Sequence, residues 1–159
     1  MDQKTLVRWL KAVIIGTGIC GLVVFLWLVP FMGKGVLEGY PEFGSWYLPW
    51  LIFLEISGLP CFGVLYLGWR IAGNIGQDRS FSMENASFLK KIAYCAAGDT
   101  VYFFIGNIAL WLCGMSHTDV VLASLVIDFV GIAVSVAAAG LSHLVEKAAK
   151  LQEESELTI

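Results

Sequence analysis

The sequence predicts an all-α integral membrane protein, a four-helix bundle with both termini in the cytoplasm and a last helix that extends into the cytoplasm. Hydrophobic residues make up 58% of the 159 residues and charged residues 14%, whereas soluble domains contain about 25% charged residues. A helix needs about 20 residues to cross a bilayer, and four apolar stretches of the chain are that long. We therefore predict a single four-span membrane domain over residues 1–159, with spans at about 12–31, 50–70, 92–113 and 120–141 and a cytoplasmic helical tail at 142–159.

The first span follows a short basic start and contains Pro30 near its end. Because proline lacks the backbone N–H that a helix interior uses, Pro30 predicts that the helix ends at the membrane boundary. From Met32 to Pro49 the chain is rich in glycine, proline and aromatic residues. This composition predicts an irregular external loop on the membrane surface, and an interfacial aromatic belt is favoured there over a ligand site.

The second span contains Glu55, and Pro60 predicts a kink in its helix. The segment from Ile71 to Ser87 is the most polar internal stretch of the chain. Within it, Ser82 is predicted to cap the third helix, because its hydroxyl can accept a hydrogen bond from a free N–H of the first turn.

The third span carries Asp99 and Asn107, whose spacing places both side chains near one helical face. The short connection from Gly114 to Asp119 predicts that spans three and four are antiparallel neighbours. Small and polar residues recur along the fourth span at helical spacing, which predicts a stripe facing neighbouring helices. This stripe comprises Ser124, Asp128, Gly131, Ser135, Ala138 and Ser142.

Basic residues determine the predicted orientation. Nine of the ten Lys and Arg residues flank the spans on the side of the termini, and Lys34 alone lies on the other side. By the positive-inside rule, we predict that both termini lie in the cytoplasm. The protein is then a multi-pass protein of the bacterial cell (inner) membrane. The net charge of −3 and the position of the basic residues at membrane edges argue against direct nucleic-acid binding. The lipid bilayer is the predicted partner.

The candidate intramembrane polar residues are Glu55, Asp99, Asn107 and Asp128. A charge at the bilayer centre costs about 2.5–3.5 kcal/mol on insertion scales, and no Lys or Arg lies within a span to neutralise these acids. Three interpretations stay open. The acids are protonated and hydrogen-bonded across the bundle, they bind a proton or cation for transport, or they meet a basic residue of another subunit in a homo-oligomer.

The sequence offers no residues for a metal, a cofactor or catalysis. The four cysteines lie in or beside apolar runs without a C-x-x-C pair, which is typical of small buried hydrophobic residues. His117 and His143 flank opposite ends of one span and cannot share a metal ion. Without a nucleophile–base pair or a metal cluster, we predict that the protein is not an enzyme and has no catalytic residues.

Three features of the chain together are typical of one family: the four spans, the loop Gly76-Gln77-Asp78-Arg79-Ser80-Phe81-Ser82 with Asn85 after it, and the terminal segment Glu146–Ile159. By these features the chain resembles the bacterial membrane-protein family known as domain of unknown function 2975. Members of that family end in a similar helix, from which this chain departs by Ser155 in place of Asn and Glu156 in place of Asp. The terminal segment is the most specific part of the resemblance.

The resemblance implies no enzymatic activity. Genes of the family often lie beside a gene for a very small cytoplasmic helix-turn-helix regulator, which implies a sensor or regulatory role for the membrane protein. The polar loop and the tail are the surfaces open to such a partner. The candidate contact residues are Phe81, Ser82, Leu151, Glu154, Glu156, Leu157 and Ile159. The alternative function is a small proton or cation transporter, or a channel subunit, that uses the intramembrane acids.

Overall fold

A computed structural model describes residues 2–157, which fold into helices joined by short connections, with no strand in this range. The elements are α1 (Gln3–Val23), a π-helical turn (Val24–Leu28), α2 (Val29–Gly39), a 3₁₀ turn (Pro41–Phe43), α3 (Gly44–Ile75), α4 (Met83–Leu112) and α5 (Thr118–Leu157). Four continuous helical stretches, Gln3–Gly39, Pro41–Ile75, Met83–Leu112 and Thr118–Ser155, are long and apolar enough to cross a membrane. Large apolar side chains such as Leu112 (74% exposed) and Phe129 (70% exposed) face outward, as lipid contact requires. The protein is therefore an all-α membrane protein with four spanning helices, as predicted.

The first helical stretch does not end at Pro30, and the prediction of a helix end there was wrong. The chain widens into the π-helical turn just before this proline, and the N–H of Val29 bonds to the carbonyl of Val24, five residues earlier. A π turn can absorb the missing N–H of a proline without ending the helix. Helix α2 then continues to Gly39, so the irregular external loop expected from Met32 to Pro49 is also largely helical.

Each of the four spanning stretches packs antiparallel against the next one along the chain. Gln3 of α1 donates a hydrogen bond from Nε2 to the carbonyl of Ile75 at the end of α3 (2.6 Å). Between α3 and α4, the Tyr102 hydroxyl donates to the Phe53 carbonyl (3.2 Å). No Cα atom of α1 lies within 8 Å of a Cα atom of α5 among the described residues. The bundle is thus not closed by backbone packing between its first and last spans.

The predicted stripe on α5 is the contact surface between α4 and α5. Ser142 donates to the Ala86 carbonyl (2.7 Å) and Ser135 to the Ala93 carbonyl (2.9 Å). At Gly131 the helices approach so closely that a Cβ atom would collide with Thr100 Oγ1. Ser124, Asp128, Ala138 and Ser142 are all less than 10% exposed. The antiparallel pairing of spans three and four is confirmed.

Residues that are recognisable in the sequence form the two ends of α4. Ser82 accepts a hydrogen bond from the N–H of Asn85 (3.2 Å), which confirms that Ser82 caps α4. Gly114 ends α4 with φ +72°, a conformation that glycine adopts without steric cost. Its N–H bonds to the Trp111 carbonyl and the N–H of Met115 to that of Leu110, the paired hydrogen bonds of a Schellman motif.

Candidate functional site

A cavity of about 570 Å³ lies among the four spans, with residues of all four in its walls. It brings together two of the four intramembrane polar candidates, Asp99 from α4 and Asp128 from α5. Most of the remaining wall is apolar. Its hydrophobic side chains include Phe25, Leu54, Phe62, Leu65, Phe103 and Val134.

Three of the four carboxylate oxygens of these two acids are buried without a hydrogen-bond partner among the described residues. Both carboxylate oxygens of Asp128 and Oδ1 of Asp99 are buried and have no partner among the described residues. The hydroxyl groups of Ser57 and Thr100, which also line the cavity, donate instead to carbonyls of their own helices: Ser57 to Leu54 (2.8 Å) and Thr100 to Ala96 (2.8 Å). The cavity wall therefore contains acids with buried acceptor oxygens that have no partner among the described residues, and it contains no Lys or Arg. This is a rare arrangement for buried polar groups.

The other two intramembrane candidates lie outside the cavity wall. Glu55 is partly exposed on α3. Asn107 is 1% exposed and donates from Nδ2 to the Phe103 carbonyl one turn earlier (2.9 Å), while its Oδ1 has no partner among the described residues. The structure thus groups Asp99 with Asp128 and leaves Glu55 and Asn107 apart from them.

At the end of the bundle that holds the start of α1 and the end of α5, the loop between α3 and α4 is organised around Asn85. This side chain is 1% exposed; it accepts from Asn74 Nδ2 (2.9 Å) and donates to the carbonyls of Arg79 (3.1 Å) and Ser80 (3.0 Å). The Arg79 guanidinium donates in turn to Asn74 Oδ1 (3.2 Å). Asp78 adopts the left-handed region with φ +59° to close the turn. The loop is therefore held in one conformation by buried polar contacts.

Salt bridges on the surface contribute little to the stability of this loop. Glu84 lies 3.3 Å from Arg70 Nη2 and 3.9 Å from Arg79 Nη1, and all three side chains are at least 40% exposed. Exposed ion pairs of this kind contribute about 0–1 kcal/mol. The buried asparagine contacts, and not the charges, determine the loop conformation.

A second concave surface, which we call the terminal groove, lies beside this loop and measures about 390 Å³. Three parts of the chain form it: the start of α1, the loop region and the far end of α5. Its residues are Gln3, Leu6, Ile75, Asp78, Ser80, Phe81 and Gln152. Phe81 is 59% exposed although it is a large apolar side chain.

The partner-contact candidates divide between the groove, the cap and the tail. Phe81 lines the terminal groove, whereas the Ser82 hydroxyl accepts the hydrogen bond that caps α4. Leu151 is 58% exposed and Glu154 is exposed on the last turns of α5. The backbones of Glu156 and Leu157 continue α5, but their side chains, like the whole of Ile159, lie outside the described residues.

Sequence reasoning missed the contacts that join distant segments. Asn74 and Asn85 stood in a polar stretch and at a helix start, with no pattern to show that they bond to each other. His117, for which the sequence predicted no contact, packs edge-on against Phe43 and Trp46 at the opposite end of the bundle. The distances between ring centroids are 5.9 Å to Phe43 and 5.8 Å to Trp46. No group of three or more His, Cys, Asp or Glu residues that could hold a metal ion occurs within the described part of the chain.

Comparison with known proteins finds a membrane-protein relative and a family of unknown function. The chain is 27% identical over 163 residues to an uncharacterized membrane protein, YoaS, of Bacillus subtilis (strain 168), covering 99% of this chain and 98% of the relative. No solved structure matches it. The profile of a family described as protein of unknown function (DUF2975) matches residues 33–159. The chain therefore belongs to the DUF2975 family of membrane proteins of unknown function.

Proposed function

We propose that this protein is a non-enzymatic regulatory protein of the bacterial inner membrane that holds a small cytoplasmic helix-turn-helix regulator at the terminal groove. The observation that carries the proposal is the ordered loop beside the groove. Asn85 and Asn74 fix the loop from inside, so Phe81 is presented on a preformed surface. A preorganised surface binds a partner with a smaller loss of conformational entropy than a mobile loop does.

The charge distribution supports placing this surface in the cytoplasm. The positive-inside rule assigns the basic side of a membrane protein to the cytoplasm, and the groove lies on the side where nine of the ten basic residues flank the spans. The exposed apolar side chains of Leu6 (40% exposed), Phe81 and Leu151 offer contact area to a protein partner.

Co-purification tests this proposal. The tagged full-length protein is expressed with the product of the neighbouring helix-turn-helix gene and extracted in mild detergent. Phe81→Ala, and separately deletion of Glu153–Ile159, are expected to abolish recovery of the regulator while leaving membrane insertion intact. Leu144→Ala is the matched control, because Leu144 is a similarly exposed apolar residue (63%) of α5 that does not line the groove. Unchanged recovery with both altered proteins would overturn the proposal.

The cavity favours a second candidate function, transport of a proton or a cation. Its supporting observation is that Asp99 and Asp128 share one intramembrane cavity in which Asp128 has no partner among the described residues. In vesicles reconstituted with the purified protein, this function predicts a proton or cation flux that Asp128→Asn removes. Glu55→Gln, which changes an intramembrane acid outside the cavity wall, should retain the flux. Absence of flux through the unaltered protein rules this function out.

A further inference from the structure

We propose that the intramembrane cavity binds an apolar amine in its ammonium form, with the ammonium group at Asp99 and Asp128 and the hydrocarbon part along the cavity wall. This inference is independent of a cytoplasmic partner. It names a binding site and a ligand class, and it requires no net transport.

The acids supply the chemistry that recognises an ammonium group. Asp128 is only 6% exposed, and both its carboxylate oxygens lack a partner among the described residues. An unpaired buried charge is costly, so a carboxylate at this depth must either carry a proton or meet a positive group. The residues that line the cavity include no Lys or Arg. An ammonium group carries a positive charge and up to three N–H donors, which matches several unpartnered acceptor oxygens.

The cavity wall indicates an organic cation and not a metal ion. A volume of about 570 Å³ lies within the about 300–1,000 Å³ of typical small-molecule pockets. The aromatic rings of Phe25, Phe62 and Phe103 form part of the wall. A hard metal ion needs about six oxygen ligands close together, and the described residues contain no cluster suited to one.

Among the described residues, the first and last spans are not packed backbone to backbone beside this site. Helices α1 and α5 both line the cavity, through residues such as Gly21 and Ile127. Their Cα atoms do not approach within 8 Å in the described part of the chain. An apolar amine dissolves in the bilayer and lies there with its hydrocarbon part among the acyl chains. It can therefore reach the acids laterally, between the first and last spans.

Photolabelling tests the inference in the full-length protein, reconstituted in nanodiscs of phosphatidylcholine. The probe is a long-chain primary alkyl amine with a diazirine on its chain, and labelled peptides are identified by mass spectrometry. Label is expected on the cavity-lining parts of α1, α3, α4 and α5. Excess decylamine should suppress this label, whereas equal amounts of decanol or decanoate should not.

Variants separate specific binding from partition into lipid. Asp128→Asn is expected to lower the decylamine-sensitive label by about ten-fold or more, because it removes one partner of a buried charge pair. Asp99→Asn serves the same purpose if the first variant does not fold, as judged by gel filtration. Glu55→Gln should label like the unaltered protein, because Glu55 lies in a span but outside the cavity wall.

The results that overturn the inference are distinct from those that overturn the regulatory function. Label spread evenly over lipid-facing residues, equal suppression by decanol and decylamine, or full labelling of a folded Asp128→Asn protein would each refute the amine site. Loss of regulator co-purification, or its persistence in the groove variants, does not bear on the labelling result, because the terminal groove and the cavity share no lining residue.

Discussion

Asn85 is the residue on which the conformation of the loop between α3 and α4 depends. Its side chain satisfies two loop carbonyls and one side-chain amide while almost completely buried. Removing it leaves these groups without partners, and each such buried group costs about 1–3 kcal/mol. The loop should then leave its present conformation more often, although the helices on either side can remain folded.

We therefore expect Asn85→Ala to increase cleavage by trypsin after Arg79, a residue whose side chain is already 54% exposed. Proteases need a locally unfolded segment, so the measurement is the cleavage rate of the purified protein in detergent. Gln77→Ala is the control, because Gln77 is an exposed loop residue whose side chain accepts a hydrogen bond from the exposed Arg79 side chain. Equal cleavage of Asn85→Ala and the unaltered protein would show that Asn85 does not hold the loop.

At the scale of elements, the pairing of α4 with α5 depends on small residues. The absence of a side chain at Gly131 lets Thr100 pack directly against the α5 backbone. The serines of the same stripe add hydrogen bonds to α4 carbonyls. Helix association in membranes relies on such close packing, because lipid already solvates apolar side chains.

Gly131→Ala is expected to lower the free energy of unfolding by about 1–3 kcal/mol, the usual cost of overpacking. Thermal unfolding in detergent gives the measurement. Gly140→Ala, in the same helix but with no atom near its new Cβ, should be neutral or stabilising by up to about 1 kcal/mol. Adding Thr100→Ala to Gly131→Ala should recover part of the loss, because it removes the oxygen that the new methyl group meets. Equal stability of the two single glycine variants would contradict this account.

At the scale of the whole molecule, the arrangement of charges predicts the orientation in the membrane. The loop between α3 and α4 lies on the basic side, and the 3₁₀ turn at Pro41–Phe43 lies at the opposite end of the bundle. The positive-inside rule places the first in the cytoplasm and the second outside.

In a cysteine-free background, a membrane-impermeant maleimide should label Glu42→Cys in intact cells. The same reagent should label Gln77→Cys only after lysis. Both positions are exposed, so a difference in labelling reports the side of the membrane and not burial. The reverse pattern would invert the orientation and remove the terminal groove from the cytoplasm.

Composition and local spacing were enough to predict the number of spans, the stripe on α5 and the cap at Ser82. Each follows from composition or from spacing within a single helix. The same local reasoning failed at Pro30, where proline alone predicts a helix end. A π-helical turn just before it, formed by the surrounding backbone, continues the helix instead.

Tertiary structure decided the features on which function depends. Asp99 and Asp128 were recognisable as intramembrane acids, but only the packing of four helices places them in one cavity, where Asp128 has no side-chain hydrogen-bond partner in the described part of the chain. The pairing of Asn74 with Asn85 likewise needs the crossing of α3 and α4. Such contacts depend on distances between segments, which the periodicity of a single helix does not encode.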